Sequence, residues 1–115
     1  MFYDRKSPRL KHFDYATPTV YFITICTYEK RCIFGRASQL NEYGKIAQND
    51  IEQLNMHYPF VRIFHAVVMP NHVHILLGIE PDCRHTATLS SIISAYKAGV
   101  SRKIHLLNPN MIVWQ

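Results

Sequence analysis

His72-Val73-His74 sets two imidazoles one residue apart, the spacing in this chain with most capacity for chemistry. Residues i and i+2 of a β-strand point to the same face, so the two rings are predicted to stand side by side. Val73, Ile75 and Leu77 then point the other way, toward a core. Neutral imidazole nitrogen is a common ligand of divalent metals, and a strand is a rigid support for a pair of them. By spacing alone, an i,i+2 histidine pair with no third ligand in view also fits an ordinary polar strand face. Pro70-Asn71, just before the pair, reads as a tight turn with Asn71 serving turn chemistry.

Other reactive residues form no second pattern. Cys26, Cys32 and Cys83 are odd in number and lack CxxC spacing, which argues against a disulfide framework or a zinc knuckle. Cys26 reads as a small buried hydrophobe. His65 reads as a hydrogen-bonded strand histidine, and His12, His57, His85 and His105 show no ligand spacing. A histidine-triad hydrolase needs a third histidine where Leu76 stands. A two-histidine phosphoesterase needs a second HxT or HxS, but His85 is followed by Thr86 and Ala87. Zinc deaminase chemistry needs a His-x-Glu and a CxxC, both missing from the sequence.

The elements that position the pair can be read from periodicity. Val20 to Thr27 is dense in β-branched and aromatic residues and predicts a first strand. A connection follows, with a short extended piece at Cys32-Ile33-Phe34. Asn41 is a candidate N-cap for a helix to about Met56, with Tyr43, Ile46, Ala47, Ile51, Leu54 and Tyr58 at helical period. Val61 to Met69 predicts a second strand, and Pro70-Asn71 turns into a third, His72 to Ile79, antiparallel to it. A second helix is expected from about Thr88 to Leu107, with Leu89, Ile92, Ile93, Tyr96, Val100 and Ile104 on one face. Met111 to Gln115 begins another extended segment. The order β-α-β-β-α-β predicts an α+β ferredoxin-like sandwich, an antiparallel sheet with two helices on one face and the other face open.

Composition bounds the rest. The 115 residues make one domain, 1–115, with a basic and aromatic arm over 1–19. Apolar residues are 48% and charged residues 18%, the balance of a folding sequence. No run approaches the roughly 20 apolar residues of a membrane span, and the N-terminus lacks a secretory signal. A cytoplasmic protein without a membrane partner is expected. The net charge of +5 favours an anionic partner, nucleic acid being the commonest. Arg5, Lys6, Arg9 and Lys11, interleaved with Phe13 and Tyr15, are candidate contacts to phosphates and bases; Lys97, Arg102 and Lys103 are further phosphate candidates or a wet helix face.

Met69-Pro70-Asn71-His72-Val73-His74-Ile75-Leu76-Leu77 resembles the HUH motif of single-strand tyrosine transposases. The resemblance is to the REP-associated tyrosine transposases and their insertion-sequence relatives. It extends in order through Phe13-Asp14-Tyr15, Val20 to Thr24, Ile33-Phe34-Gly35, Asn41 to Ala47, Ile92 to Arg102 and Val113-Trp114-Gln115.

The resemblance implies that His72 and His74 hold Mg2+ or Mn2+, which polarises a scissile DNA phosphate. It implies a transposase that nicks and rejoins single-stranded DNA at hairpin ends through a 5′-phosphotyrosine link. In the family the nucleophilic tyrosine lies on a helix after the Trp-Gln segment, and here the sequence stops at Gln115. The expectation is therefore a chain truncated before that helix, with no identifiable catalytic tyrosine. Either the chain is a fragment or a natural truncation, or a second polypeptide supplies the nucleophile; a homodimer is a further expectation. Alternatively, the chain is a non-catalytic module that binds hairpin or single-stranded DNA. Tyr96 is not a substitute nucleophile, because it sits in the apolar stripe of the second helix.

Overall fold

The structure, a computed structural model, describes residues 19–81 and 87–115. Strand β1 (Thr19–Cys26) buries Ile23 and Ile25 and leaves Val20 and Phe22 exposed. That alternation makes it a strand with one face in a core. A single 3-10 turn (Tyr28–Lys30) leads to a two-residue ladder between β2 (Gly35–Arg36) and β3 (Gln39–Leu40). The extended piece expected at Cys32-Ile33-Phe34 is thus displaced along the chain. Gly35 at φ +97° makes the corner there, and Phe34 is drawn fully into the core.

Helix α1 (Glu42–His57) starts where the Asn41 side chain accepts from the Gly44 N–H at 2.9 Å. Gly44 is needed for close approach: a Cβ there would sit 2.5 Å from the Phe34 carbonyl oxygen. Strands β4 (Val61–Met69) and β5 (His72–Ile79) form a hairpin closed by Pro70-Asn71. Helix α2 (Leu89–Leu107) opens with a reciprocal capping box between Thr88 and Ser91. Asn108-Pro109 follows its last turn, and proline cannot continue a helix.

Among the described residues the main sheet has the order β1-β5-β4, all antiparallel. The histidine strand β5 is therefore central and hydrogen-bonded on both sides. Val73, Ile75 and Leu77 are fully buried on the face that α1 and α2 cover. Ala47, Ile51 and Leu54 of α1 and Ile92, Val100 and Ile104 of α2 join them in one core. Burying each large aliphatic side chain contributes about 1.5–3 kcal/mol. The helices are also pinned to each other. Lys103 Nζ meets Asp50 Oδ1 at 2.5 Å, and the Tyr96 hydroxyl donates to the Ala47 carbonyl at 2.8 Å. This antiparallel sheet with two helices on one face is the α+β architecture that the periodicity predicts.

The last segment returns beside β1. Trp114 forms a bridge with Thr27, the Gln115 N–H donates to the Cys26 carbonyl, and the Tyr28 N–H donates to Val113. Among the described residues this is one bridge rather than the full extended element expected. The Trp114 indole N–H donates to the Lys97 carbonyl at 3.0 Å, anchoring the segment to α2.

Candidate metal centre

His72 and His74 emerge together on the uncovered face of the sheet. Their ring centroids are 4.4 Å apart with planes at 74°. The cause is the strand period: with Val73 and Ile75 drawn into the core, the alternate positions must face outward. Neighbouring strands complete the surroundings. In register, His74 lies between Thr24 of β1 and Val67 of β4, and His72 between Cys26 and Met69.

Each ring is held through its Nδ1. His72 Nδ1 is 2.7 Å from Asn71 Oδ1, and His74 Nδ1 is 2.9 Å from Thr24 Oγ1. Phe22 stacks on the His74 ring at 5.5 Å and 29°, while remaining 48% exposed. Among the described residues no hydrogen bond engages either Nε2. Partial burial, and secondarily the neighbouring His74, hold the His72 pKa below the ordinary imidazole value. Both effects favour the neutral ring, which is the form that ligates metals.

The donor set fits a divalent cation that takes two nitrogens and leaves its remaining positions to water or phosphate oxygens. Two imidazoles suit Mn2+ better than Mg2+, which prefers oxygen donors. Among the described residues, no third His, Cys, Asp or Glu joins the pair. His65 is on the same face of β4 but pairs across from Leu76, one step beyond His74. A bulge at Phe64, between Ile63 and His65, sets that register. Cys26 is half-buried on the histidine face rather than in the core. Its expected burial fails because Ile25, not Cys26, is in phase with the core.

The basic residues singled out in the sequence divide into two groups. Arg5, Lys6, Arg9 and Lys11, with the arm up to residue 18, lie outside the described residues, as do His12, Cys83 and His85; Thr19, the last residue of the expected arm, begins β1. Lys97, Arg102 and Lys103 are on α2, behind the sheet from the histidines, and Lys103 is engaged with Asp50. They do not gather at the site. Tyr96 is 3% exposed in the core. Tyr43 and Tyr58 also belong to the helical layer, and Tyr21 projects from the covered side of β1. The Tyr28 ring lies beyond the end of β1, beneath the Arg31 guanidinium at 5.5 Å. Sequence reading missed the side-chain roles of Asn71 and Thr24. Asn71 was within reach, since it directly precedes His72; Thr24 needed the β1–β5 register.

No family model matches the chain. An uncharacterised protein of Haemophilus influenzae is 34% identical over 133 aligned positions, covering 96% of this chain and 74% of the relative. The chain belongs to that protein's family. A fold likeness reaches further: the crystal structure of a candidate transposase from Deinococcus radiodurans R1 superimposes with a TM-score of 0.63. That match covers 89% of this chain and 69% of the other at 16% identity, so the two share a fold. Among the described residues no helix is long and apolar enough to cross a membrane.

Proposed function

We propose that the chain is a DNA transposase domain of the HUH type, acting on single-stranded DNA at hairpin ends. The observation that carries this reading is the pair of imidazoles on the open sheet face, each tethered through Nδ1. The transposase-like fold and the ordered resemblance of the sequence around that pair support it. A bound Mn2+ or Mg2+ would supply Lewis-acid polarisation of the phosphodiester. His72 and His74 hold that cation on the central strand, where the backbone cannot shift without breaking two ladders. Phe22 shields one side of His74 and offers its exposed surface to an unpaired base, a contact that tolerates any sequence. The excess of basic residues favours a polyanion in general. The arm residues Arg5, Lys6, Arg9 and Lys11 are proposed as phosphate contacts; Lys97, Arg102 and Lys103 are proposed only for phosphates that reach the helical side, away from the histidines.

In the proposed reaction, a tyrosine hydroxyl attacks the scissile phosphorus and gives up its proton to solvent, from which the departing 3′ oxygen takes one up. The 3′ oxygen leaves with the bonding pair, and the 5′ phosphate stays linked to the tyrosine. None of the strand or helix tyrosines described above projects beside the histidines. That specific observation favours the second reading, a module that binds hairpin DNA without cutting, or one whose nucleophile comes from another chain.

The test uses a labelled single-stranded oligonucleotide containing a hairpin with unpaired flanks, in the presence of Mn2+. A covalent protein–DNA adduct on a denaturing gel supports catalysis by this chain. Mn2+-dependent retention on a native gel without an adduct supports the binding module. If the oligonucleotide is not retained, with or without Mn2+, both readings fall.

A further inference from the structure

We propose that Asn71 is a positioning residue: its side-chain oxygen fixes His72 as the Nδ1–H tautomer and turns the Nε2 lone pair outward before any cation arrives. A carbonyl oxygen has no proton to give, so at 2.7 Å from Asn71 Oδ1 the neutral His72 ring must carry its hydrogen on Nδ1.

The assignment depends on which way the Asn71 amide points, and a long, exposed contact with Lys30 favours the orientation with Oδ1 toward His72. Asn71 Nδ2 donates to the Lys30 carbonyl at 3.4 Å. The reversed amide would set two carbonyl oxygens against each other there. Lys30 presents that carbonyl from a left-handed backbone, Glu29 at φ 52° and Lys30 at φ 55°. Asn71 is also anchored through its main chain: the Thr27 N–H donates to the Asn71 carbonyl at 3.0 Å, and the Thr27 hydroxyl shares its one proton between the Arg31 carbonyl at 2.7 Å and the Asn71 carbonyl at 3.0 Å. Thr27 itself is fully buried. Turn geometry does not demand asparagine at this position. Among the described non-glycine residues only Glu29 and Lys30 have positive φ, so the hairpin loop needs no left-handed conformer at Asn71.

His74 is a built-in contrast. Its partner, the Thr24 hydroxyl, can donate or accept, so it accommodates either tautomer. Only His72 is committed in advance. The purpose assigned to this lock rests on the cation-site reading above; the tautomer does not.

Ring nitrogen–proton correlation spectra of the 15N-labelled, metal-free chain at about pH 8, where imidazole is neutral, read the tautomer directly. His72 should be Nδ1–H in the natural sequence and in Asn71→Asp, either oxygen of which can accept from Nδ1 although the donor to the Lys30 carbonyl is lost. In Asn71→Ala it should move toward Nε2–H, with His74 unchanged. Mn2+ affinity by calorimetry should fall about 10- to 100-fold in Asn71→Ala and not fall in Asn71→Asp. Should Asn71→Ala fail to fold, the natural chain and Asn71→Asp decide the question. An Nε2–H His72 in the natural chain, or one indifferent to Asn71→Ala, overturns the proposal. If the tautomer follows Asn71 but Mn2+ produces no heat, the cation reading fails and the role of Asn71 stands.

Discussion

The two faces of β5 use alternate residues of one strand for opposite purposes. Val73, Ile75 and Leu77 meet hydrocarbon on every side, and their contribution is non-directional burial. His72 and His74 make one specific polar contact each, touch each other, and are half-buried, with Phe22 stacked on His74. The covered face supplies stability to hold the strand; the uncovered face packs only lightly, through the Phe22 ring on His74. Strand rigidity thus comes from one side and chemistry from the other, with the pleat keeping them apart.

The sharpest way to break this division is to exchange the expected consequences of substitution. Ile75→Ala removes a fully buried side chain from the central strand and should cost about 2–5 kcal/mol in urea unfolding. A cost near zero would mean that the helical layer does not depend on β5. His72→Ala with His74→Ala should do the reverse. Stability should stay within about 1 kcal/mol of the parent, since neither ring belongs to the core. Mn2+ binding in calorimetry should disappear. Unchanged Mn2+ affinity would reject the site, and gross unfolding would show that both faces are structural.

A smaller effect sharpens the comparison within the helical layer. Burial, and secondarily Asp50, push the Tyr96 phenol far above its ordinary value of 10.0. The unfolded chain then releases this proton near pH 10 while the native chain keeps it. The stabilisation is complete below pH 10 and is lost as the pH climbs from there toward the raised native value, by at most about 1.4 kcal/mol per pH unit. Urea titrations at about pH 9 and about pH 11 should show this slope, and Tyr96→Phe should flatten it. An identical slope in both proteins would place Tyr96 in contact with water. That would reopen the phenol as a reactive group.

Much of this was legible beforehand because it depends on local period. The boundaries of β4 and β5, the Asn41 and Thr88 helix starts and the apolar stripe holding Tyr96 all follow from side-chain phase and capping chemistry. Cys26 was misplaced because its phase in β1 is set by which neighbour, Ile25, reaches the core. The extended piece expected at Cys32-Ile33-Phe34 falls instead at Gly35–Arg36 and Gln39–Leu40, because a buried Phe34 and a left-handed Gly35 outweigh local strand propensity. Lys103 could be read from its helix face as a solvated cation. Its pairing with Asp50, 53 residues away, exists only once the helices cross.

By itself, the sequence determined that two imidazoles share one side of a strand and that apolar residues claim the other, because an i,i+2 pattern allows nothing else. Tertiary structure alone decided what stands beside them. It brought Thr24 to His74 through strand pairing, and it oriented the Asn71 amide toward the Lys30 carbonyl, an acceptor some forty residues earlier. Such contacts join segments distant in the chain, so no local spacing encodes them; they appear only when burial of the common core brings the strands and loops into register.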